Sequence, residues 1–214
     1  MGMIAATFSI LGRDEETGHL GSAAASRYPA VGAVVPHFAI GVGAVNTQHS
    51  HHPPLAWKAL ELLREGAPPE EALKQILAGD ARPESRQLLI LDAQGQCAAH
   101  TGDRCAAAHH HVVAEDCVAA GNTLAAEAVI EAMVEAFLGS SGERLDVRLL
   151  RALEAGEEAG GDRRGKQAAA VRVMPPSEDG WNERVCLDLR VDDHEEPIAE
   201  LLRLRRVKTG EEIR

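Results

Sequence analysis

The chain has 214 residues, enough for one large domain or two small ones. Its formal net charge of −11 argues against binding to nucleic acid or to anionic membrane surfaces, because both require an excess of Lys and Arg. Hydrophobic residues make up 45% and aromatic residues only 3%. We therefore expect a sizeable core built from aliphatic side chains and alanine.

The sequence gives no sign of a membrane span or an export signal. No run of about 18 apolar residues is present. The N-terminal stretch MGMIAATFSI has no basic residue before its apolar residues, which is not the pattern of a secretory signal. We expect a cytoplasmic protein.

Residues 5–28 predict a β-hairpin. Phe8 and Ile10 alternate with Thr7 and Ser9, a period of two that is typical of a strand. Residues 15–18 (EETG) supply a polar turn that ends in a glycine. The second strand, over 19–27, consists mainly of Gly, Ser and Ala, so another layer or a substrate can approach its backbone closely.

The rest of the chain alternates groups of strands with pairs of helices. In chain order, the patterns predict strands over 32–35 and 38–45, a polar loop over 46–52, a helix over Pro53–Arg64, a second helix that begins at Pro68, strands over 86–92, 97–101 and 111–121, helices over 125–137 and 145–158, strands over 167–174 and 185–191, and a helix over 197–206. A doubly wound parallel sheet alternates single strands with single helices. Paired helices instead favour layered sheets with helices outside, here as one domain over 1–214.

Several sequence pieces together resemble the domain-of-unknown-function family numbered ten twenty-eight, of the N-terminal-nucleophile (Ntn) hydrolase superfamily. The matching pieces are Thr7-Phe8-Ser9-Ile10, Ala25-Ser26-Arg27, residues 30–36 (AVGAVVP), residues 41–45 (GVGAV), Gly121-Asn122, and residues 160–165 (GGDRRG) with Gln167. The resemblance implies an α+β fold, a four-layer αββα sandwich with two antiparallel sheets between helix layers.

The same resemblance implies an amide-bond hydrolase, amidase or peptidase-like, with Thr7 as nucleophile. In this chemistry the free α-amine of the threonine accepts the proton of its own hydroxyl. While Thr7 is bonded to Ala6 its nitrogen is an amide and accepts no proton, so full activity requires removal of residues 1–6. The other reading is that Thr7 is a strand residue inherited from an active ancestor. Asn122 and Asp162 complete the candidate catalytic set: Asn122 to hold the amine or the substrate, and Asp162 to orient the amine.

Candidate substrate-binding residues fall in two segments. The backbone of Asn46-Thr47-Gln48 follows a glycine-rich strand and is a candidate oxyanion hole. The other reading is a polar loop that caps the next helix. In the second segment, Arg163 or Arg164 would pair with a substrate carboxylate, with Gln167 nearby. The alternative there is a solvated turn with a local Asp–Arg pair.

Neither a cofactor nor a metal is expected. His49, His51 and His52, and again His109, His110 and His111, form two clusters of possible metal ligands. Adjacent histidines rarely all reach one ion, and both clusters fall in predicted loops. Cysteines 97, 105, 117 and 186 contain no C-x-x-C pair, which favours free thiols over a zinc or redox site.

A second function class is a catalytically inactive binding or assembly protein that retained the fold. Proteasome-type members carry an aspartate and a lysine where this sequence has Ala25 and Pro36 or His37. Relatives joined to a putative peptidoglycan-binding domain hint at a peptidoglycan-like ligand. The leading expectation remains a small-molecule or peptide-like amide substrate. Members of the superfamily often form oligomers, so the resemblance also implies a homo-oligomer.

Overall fold

The structure is a computed structural model that describes residues 7–183 and 185–213. Its strands are β1 Thr7–Arg13, β2 Leu20–Ser26, β3 Pro36–Ala39, β4 Gly43–His49, β5 Arg86–Asp92, β6 Cys97–Thr101, β7 His110–Ala114, β8 Cys117–Gly121, β9 Ala168–Met174 and β10 Leu187–Val191. Its helices are α1 Val31–Val34, α2 Pro53–Arg64, α3 Pro69–Ala78, α4 Ala128–Gly139, α5 Leu145–Glu158 and α6 Pro197–Thr209.

These strands form two sheets that pack face to face. One is six-stranded in the order β10-β9-β2-β1-β8-β7, and the other is four-stranded in the order β3-β4-β5-β6. Every neighbouring pair is antiparallel. Helices α4, α5 and α6 cover the outer face of the larger sheet, and α2 and α3 cover the smaller one. The predicted αββα sandwich is confirmed.

Strand β1 lies inside the larger sheet and presents two different faces. Phe8 and Ile10 belong to the core beneath α4 and α5, whereas Leu11 belongs to the layer between the sheets. Gly12 lets α4 come close, because a Cβ there would lie 2.5 Å from the ring of Phe137. The alternation places Thr7 and Ser9 on the inter-sheet face.

Local patterns with a clear period predict the elements well. The predicted helices over 53–64 and 145–158 and the predicted strands over 86–92 and 97–101 have the bounds that the structure gives to α2, α5, β5 and β6. The first hairpin is also confirmed, and Gly18 in its turn has φ +71. None of the described helices is both long and apolar enough to span a bilayer.

The strand predicted over 32–35 is wrong, because that segment is the short helix α1. The N–H of Val35 bonds to the carbonyl of Val31 over 3.0 Å, which closes a helical turn. This turn brings both valines into one apolar cluster with Ala24 and Ala168. Burial of the two side chains together therefore outweighs the strand preference of a valine-rich sequence.

Two further predictions miss a turn inside a run of strand residues. The strand predicted over 38–45 is split into β3 and β4 at Gly41, which has φ +71. Pro36, expected to separate two strands, instead begins β3, an edge strand where a proline is tolerated. The strand predicted over 111–121 is the hairpin of β7 and β8, which turns at Asp116 with φ +57.

The polar loop predicted over 46–52 is also wrong in its first half. Asn46, Thr47 and Gln48 continue β4 as far as His49, and all are buried. They pair with β5 in a regular antiparallel register. Asn46 and Gln48 are accommodated inside the sandwich because partners across the inter-sheet layer satisfy their hydrogen bonds.

Candidate functional site

Thr7 stands at the head of β1, fully buried. Its Cα pairs with that of Ser26 on β2. The backbone N–H of Asn122 donates to the carbonyl oxygen of Thr7 over 3.0 Å. Thr7 and Asn122 are therefore direct neighbours at the end of β1 and β8. Residues 1–6, whose removal the chemistry requires, lie outside the described residues.

Asp162 reaches the same end of the larger sheet. It forms an isolated β-bridge with Leu124, and one carboxylate oxygen, Oδ2, accepts the backbone N–H of Arg27 over 3.1 Å. Arg27 directly follows Ser26, the partner of Thr7. The structure thus brings the segments of Thr7, Asn122 and Asp162 together, although the three residues come from distant parts of the chain.

The carboxylate of Asp162 also accepts hydrogen bonds from a residue of its own segment. Arg164 donates Nε to Oδ1 over 3.0 Å, Nη2 to Oδ2 over 2.6 Å, and its backbone N–H to Oδ1 over 3.0 Å. The geometry is the bidentate fork that makes arginine–carboxylate pairs strong. Arg163, by contrast, is exposed and makes no ion pair within the described residues. Gln167 donates to Asp193 over 3.2 Å, in the segment that precedes α6.

A continuous chain of buried side-chain hydrogen bonds, here called the inter-sheet network, crosses between the two sheets beside Thr7. Its bonds run from Ser22 to Asn46 Oδ1 (2.9 Å), from Asn46 Nδ2 to Ser9 (3.0 Å), from Ser9 to Gln48 Oε1 (2.7 Å), from Gln48 Nε2 to Gln87 Oε1 (2.8 Å) and from Asn122 Nδ2 to Gln87 Oε1 (2.9 Å). All members are buried, so water does not compete for these hydrogen bonds.

Sequence reasoning found Asn46, Gln48 and Asn122 but missed Ser9, Ser22 and Gln87. For Ser9 a signal existed, since it lies two residues from Thr7 and hence on the same strand face. Gln87 was visible as an amide in the otherwise apolar strand RQLLILD. Nothing in the local sequence reveals that it meets Asn122.

Thr47 has a different environment from its two neighbours. Its hydroxyl accepts the N–H of His52 over 3.1 Å, and its own N–H donates to the carbonyl of Val35 over 3.1 Å. That N–H is therefore already engaged. Asn46 and Gln48 contact Ser9 of β1 through their side-chain amides, Asn46 as a donor through Nδ2 and Gln48 as an acceptor through Oε1.

The segment over 102–109, between β6 and β7, lies against the strand end that carries Asn122. Its Ala106 donates N–H to Nε2 of His49 over 3.2 Å and accepts the N–H of Thr123 over 3.0 Å. Because Nε2 of His49 is an acceptor, the ring proton is on Nδ1, which bonds to the carbonyl of Ser85 over 3.0 Å. Both ring nitrogens of this histidine are therefore occupied.

Two histidines of the second cluster have local partners. Nδ1 of His109 lies 2.9 Å from the carbonyl of Cys105, and Nδ1 of His111 lies 2.9 Å from the hydroxyl of Thr101. Burial lowers the pKa of His51 and of His111, which favours their neutral forms. Among residues 7–183 and 185–213, no group of three or more His, Cys, Asp or Glu side chains is arranged to hold a metal ion.

A small cavity of about 100 Å³ opens behind β1, on the side of the helices. Phe8 and Ala25 form part of its apolar wall, and Ser26 and Asp162 contribute polar atoms. The cavity therefore borders the segment on which Thr7 lies.

Two antiparallel sheets between helix layers, with a threonine at the head of an inner strand, define the class of this protein as an Ntn-hydrolase-like αββα sandwich. Within this class the chain belongs to the family of unknown function (DUF1028), whose sequence profile matches residues 7–201. The predicted family is confirmed, and the match begins at Thr7.

The chain is similar to several solved structures, one of which is a member of the same family. The crystal structure of protein SPO2555 from Silicibacter pomeroyi, a DUF1028 member, is 34% identical, covers 96% of this chain and 90% of its own, and has a TM-score of 0.86. Anbu, the ancestral beta-subunit, from Yersinia bercovieri is 11% identical, with 91% of each chain covered and a TM-score of 0.41. Anbu from Hyphomicrobium sp. strain MC1 is 12% identical, with 96% and 98% covered and a TM-score of 0.43. No curated protein matches the chain.

Proposed function

We propose that this protein is an amide-bond hydrolase, amidase or peptidase-like, in which Thr7 is the nucleophile after removal of residues 1–6. One observation carries the proposal: Thr7 is the buried first residue of inner strand β1, and its carbonyl is held by the N–H of Asn122.

The proposed reaction uses the freed α-amine as the general base. An amine with a pKa near 8 is neutral in roughly a tenth of molecules at pH 7, which suffices for a base. It accepts the hydroxyl proton while Oγ1 bonds to the carbonyl carbon of the substrate. The proton then passes to the leaving nitrogen as the amide bond breaks. Water hydrolyses the resulting ester and restores the threonine.

The remaining candidate residues have roles that follow from their contacts. Asn46 is the proposed oxyanion donor, through the hydrogen of Nδ2 that it does not donate to Ser9, and a well-placed donor contributes about 3 kcal/mol in the transition state. Both hydrogens of Gln48 Nε2 are donated, to Gln87 and to the carbonyl of Ala120, so Gln48 and Thr47 are proposed to support the strand that carries Asn46. Asp162 accepts the N–H of Arg27 and so holds the chain directly after β2. Because β2 pairs with β1 at Thr7, Asp162 is proposed to position the strand ends that carry the amine. Exposed Arg163 is the cation open to a substrate carboxylate; Arg164 would first have to leave Asp162.

Turnover measurements test the proposal. The full chain is incubated with a panel of N-acyl amides and dipeptides, and product amines are quantified. We expect Thr7→Ala to abolish turnover, Thr7→Ser to retain part of it, and Thr17→Ala, in the exposed hairpin turn, to match the unaltered chain. Equal turnover by Thr7→Ala and the unaltered chain would remove Thr7 from the mechanism.

A specific observation supports the second candidate, an inactive binding or assembly protein. Among the described residues, Arg164 and the backbone N–H of Arg27 donate hydrogen bonds to the carboxylate of Asp162, as in a purely structural turn. In that case a peptidoglycan-like fragment, such as a muramyl peptide, binds to the full chain with equal affinity in Thr7→Ala. Cytoplasmic location and homo-oligomerisation belong to both proposals, and light scattering measures the latter.

A further inference from the structure

The orientations of the buried amides in the inter-sheet network are fixed from one side by backbone carbonyls. One amide end of Gln87 lies 2.9 Å from the carbonyl of Gly121, and the corresponding end of Gln48 lies 3.1 Å from the carbonyl of Ala120. A carbonyl oxygen only accepts hydrogen bonds, so these two ends are the NH₂ groups. The Gln87 NH₂ is also 2.9 Å from the hydroxyl of Thr101.

This orientation propagates to Asn122. With its NH₂ directed at Gly121, Gln87 presents Oε1 to the network, where it accepts from Gln48 (2.8 Å) and from Nδ2 of Asn122 (2.9 Å). Asn122 must therefore direct its own NH₂ at Gln87 and its carbonyl oxygen Oδ1 away from it. The hydrogen bond that the structure gives to Oδ1 comes from the hydroxyl of Thr123, at 3.4 Å.

Oδ1 of Asn122 is thus a buried acceptor with room for a stronger donor. A carbonyl oxygen has two lone pairs, and a contact of 3.4 Å is at the long limit for a hydroxyl donor. Asn122 is fully buried, so water does not compete for this oxygen. Its backbone N–H at the same time anchors the residue to the carbonyl of Thr7.

We infer that Gln87 is a positioning residue that makes Asn122 an acceptor for the α-amine of Thr7 rather than a donor to the substrate. The inference rests on the proposed function. A hydrogen bond from the amine to Oδ1 stabilises the ammonium that forms when the amine takes the hydroxyl proton, and it raises the pKa of the amine. An NH₂ group in the same place would repel the ammonium and lower that pKa.

Substitutions at Gln87 separate its two hydrogen-bonding ends. Gln87→Met keeps the length of the side chain but removes the acceptor for Asn122 and the donor to Gly121, so the Asn122 amide is free to rotate. Gln87→Glu is the conservative rescue, because burial keeps its carboxyl protonated; it then donates to Gly121 and still accepts from Asn122. Gln75→Met, on the exposed side of α3, is the matched control.

The first measurement is made on the full chain and does not depend on catalysis. Hydrogen exchange of the Asn122 side-chain amide, followed by NMR, should accelerate by about tenfold or more in Gln87→Met and remain slow in Gln87→Glu and Gln75→Met. If Gln87→Met does not fold, Gln87→Asn, which is one methylene shorter, takes its place. Unchanged exchange in the folded variant would overturn the inference.

The second measurement concerns the chain after removal of residues 1–6. The pKa of its α-amine is determined by NMR after ¹³C reductive methylation. We expect a decrease of about one unit in Gln87→Met and recovery in Gln87→Glu. The same pKa in all variants would overturn the inference. Absence of turnover in the unaltered chain would count against the proposed hydrolase alone, because neither measurement uses turnover.

Discussion

The hydroxyl of Ser9 on β1 donates to Oε1 of Gln48 on β4 over 2.7 Å, and this bond links an inner strand of one sheet to an inner strand of the other. The same hydroxyl oxygen accepts from Nδ2 of Asn46 over 3.0 Å. Because all of these atoms are buried, their hydrogen bonds have no replacement in water. The inter-sheet network beside Thr7 therefore holds the two sheets together and also borders the candidate catalytic residue.

Removal of Ser9 should cost more stability than removal of Ser22. Ser9→Ala leaves two buried groups unpaired, one on Asn46 and one on Gln48, so we expect the free energy of unfolding to decrease by about 2–4 kcal/mol. Ser22→Ala leaves one group of Asn46 unpaired, which predicts about 1–2 kcal/mol. Urea denaturation followed by circular dichroism measures both. Equal losses would show that the network is not continuous through Ser9.

Two neighbouring arginines should respond differently to truncation. Arg164→Ala removes the partner of the buried Asp162 carboxylate, and since the Arg164 side chain is 37% exposed we expect a loss of only about 1 kcal/mol in unfolding free energy. Arg163→Ala should change stability by less than about 0.5 kcal/mol. Thermal unfolding of both variants tests this difference. Greater destabilisation by Arg163→Ala would contradict the assignment of the ion pair.

The charge of the substrate should decide how strongly Arg163→Ala changes KM. If Arg163 binds a substrate carboxylate, Arg163→Ala raises KM for acidic amides and leaves KM for neutral amides unchanged. A matched pair of amide substrates that differ only in a terminal carboxylate or carboxamide makes the measurement. An equal rise for both members of the pair would argue against an ionic contact.

Stability should decrease as pH falls through the range below 6.5. Burial lowers the pKa of His37, and the nearby charge of His51 lowers it further. Below the unfolded value of about 6.5 the unfolded chain binds more protons than the folded chain, so the free energy of unfolding falls with pH. Urea titrations between about pH 7.5 and pH 5 should show this slope, and His37→Gln should reduce it. The exposed His194→Gln is the control, and a slope that His37→Gln leaves intact would contradict the prediction.

The buried thiols should be unreactive in the folded protein. Burial raises the pKa of Cys105 to about 11 and that of Cys117 to about 12. Only the thiolate reacts readily, so we expect slow reaction of these two residues with a disulfide reagent at pH 8 and rapid reaction once urea is added. Peptide mapping of the modified sites makes the measurement. Rapid native labelling of Cys117 would contradict its burial in the core.

The sequence predicted those parts of the fold that a local pattern determines. The leucines of α5 recur every four residues, and the helix Leu145–Glu158 follows from that spacing. The strand predicted over 32–35 was wrong because a valine-rich sequence suits both a strand and a short helix. Only the cluster that Val31 joins with Ala24 and Ala168 selects the helix, and that cluster requires the folded sheet.

The candidate site also contains residues that a local motif predicts and residues whose roles depend on strand pairing. Thr7 and Asp162 were recognised from short motifs, and the pairing of Asp162 with Arg164 is a local contact that the sequence offered as one reading. The roles of Gln48 and Gln87 depend on the register that places these two residues opposite each other in β4 and β5. Neighbours in a sheet are set by strand pairing over long sequence separations, and no local pattern records them.

The most direct test of the central claim examines the N-terminal tryptic peptide of the purified chain. Trypsin cleaves after Arg13, so a processed chain yields the peptide Thr7–Arg13 with a free threonine amine. We predict that this peptide appears and that incubation with a β-lactone electrophile adds the full mass of the lactone to Thr7, because ring opening expels no leaving group, while the corresponding peptide of Thr7→Ala gains no mass. Amide turnover by a chain that retains the residues before Thr7, with no adduct on Thr7, would contradict the account.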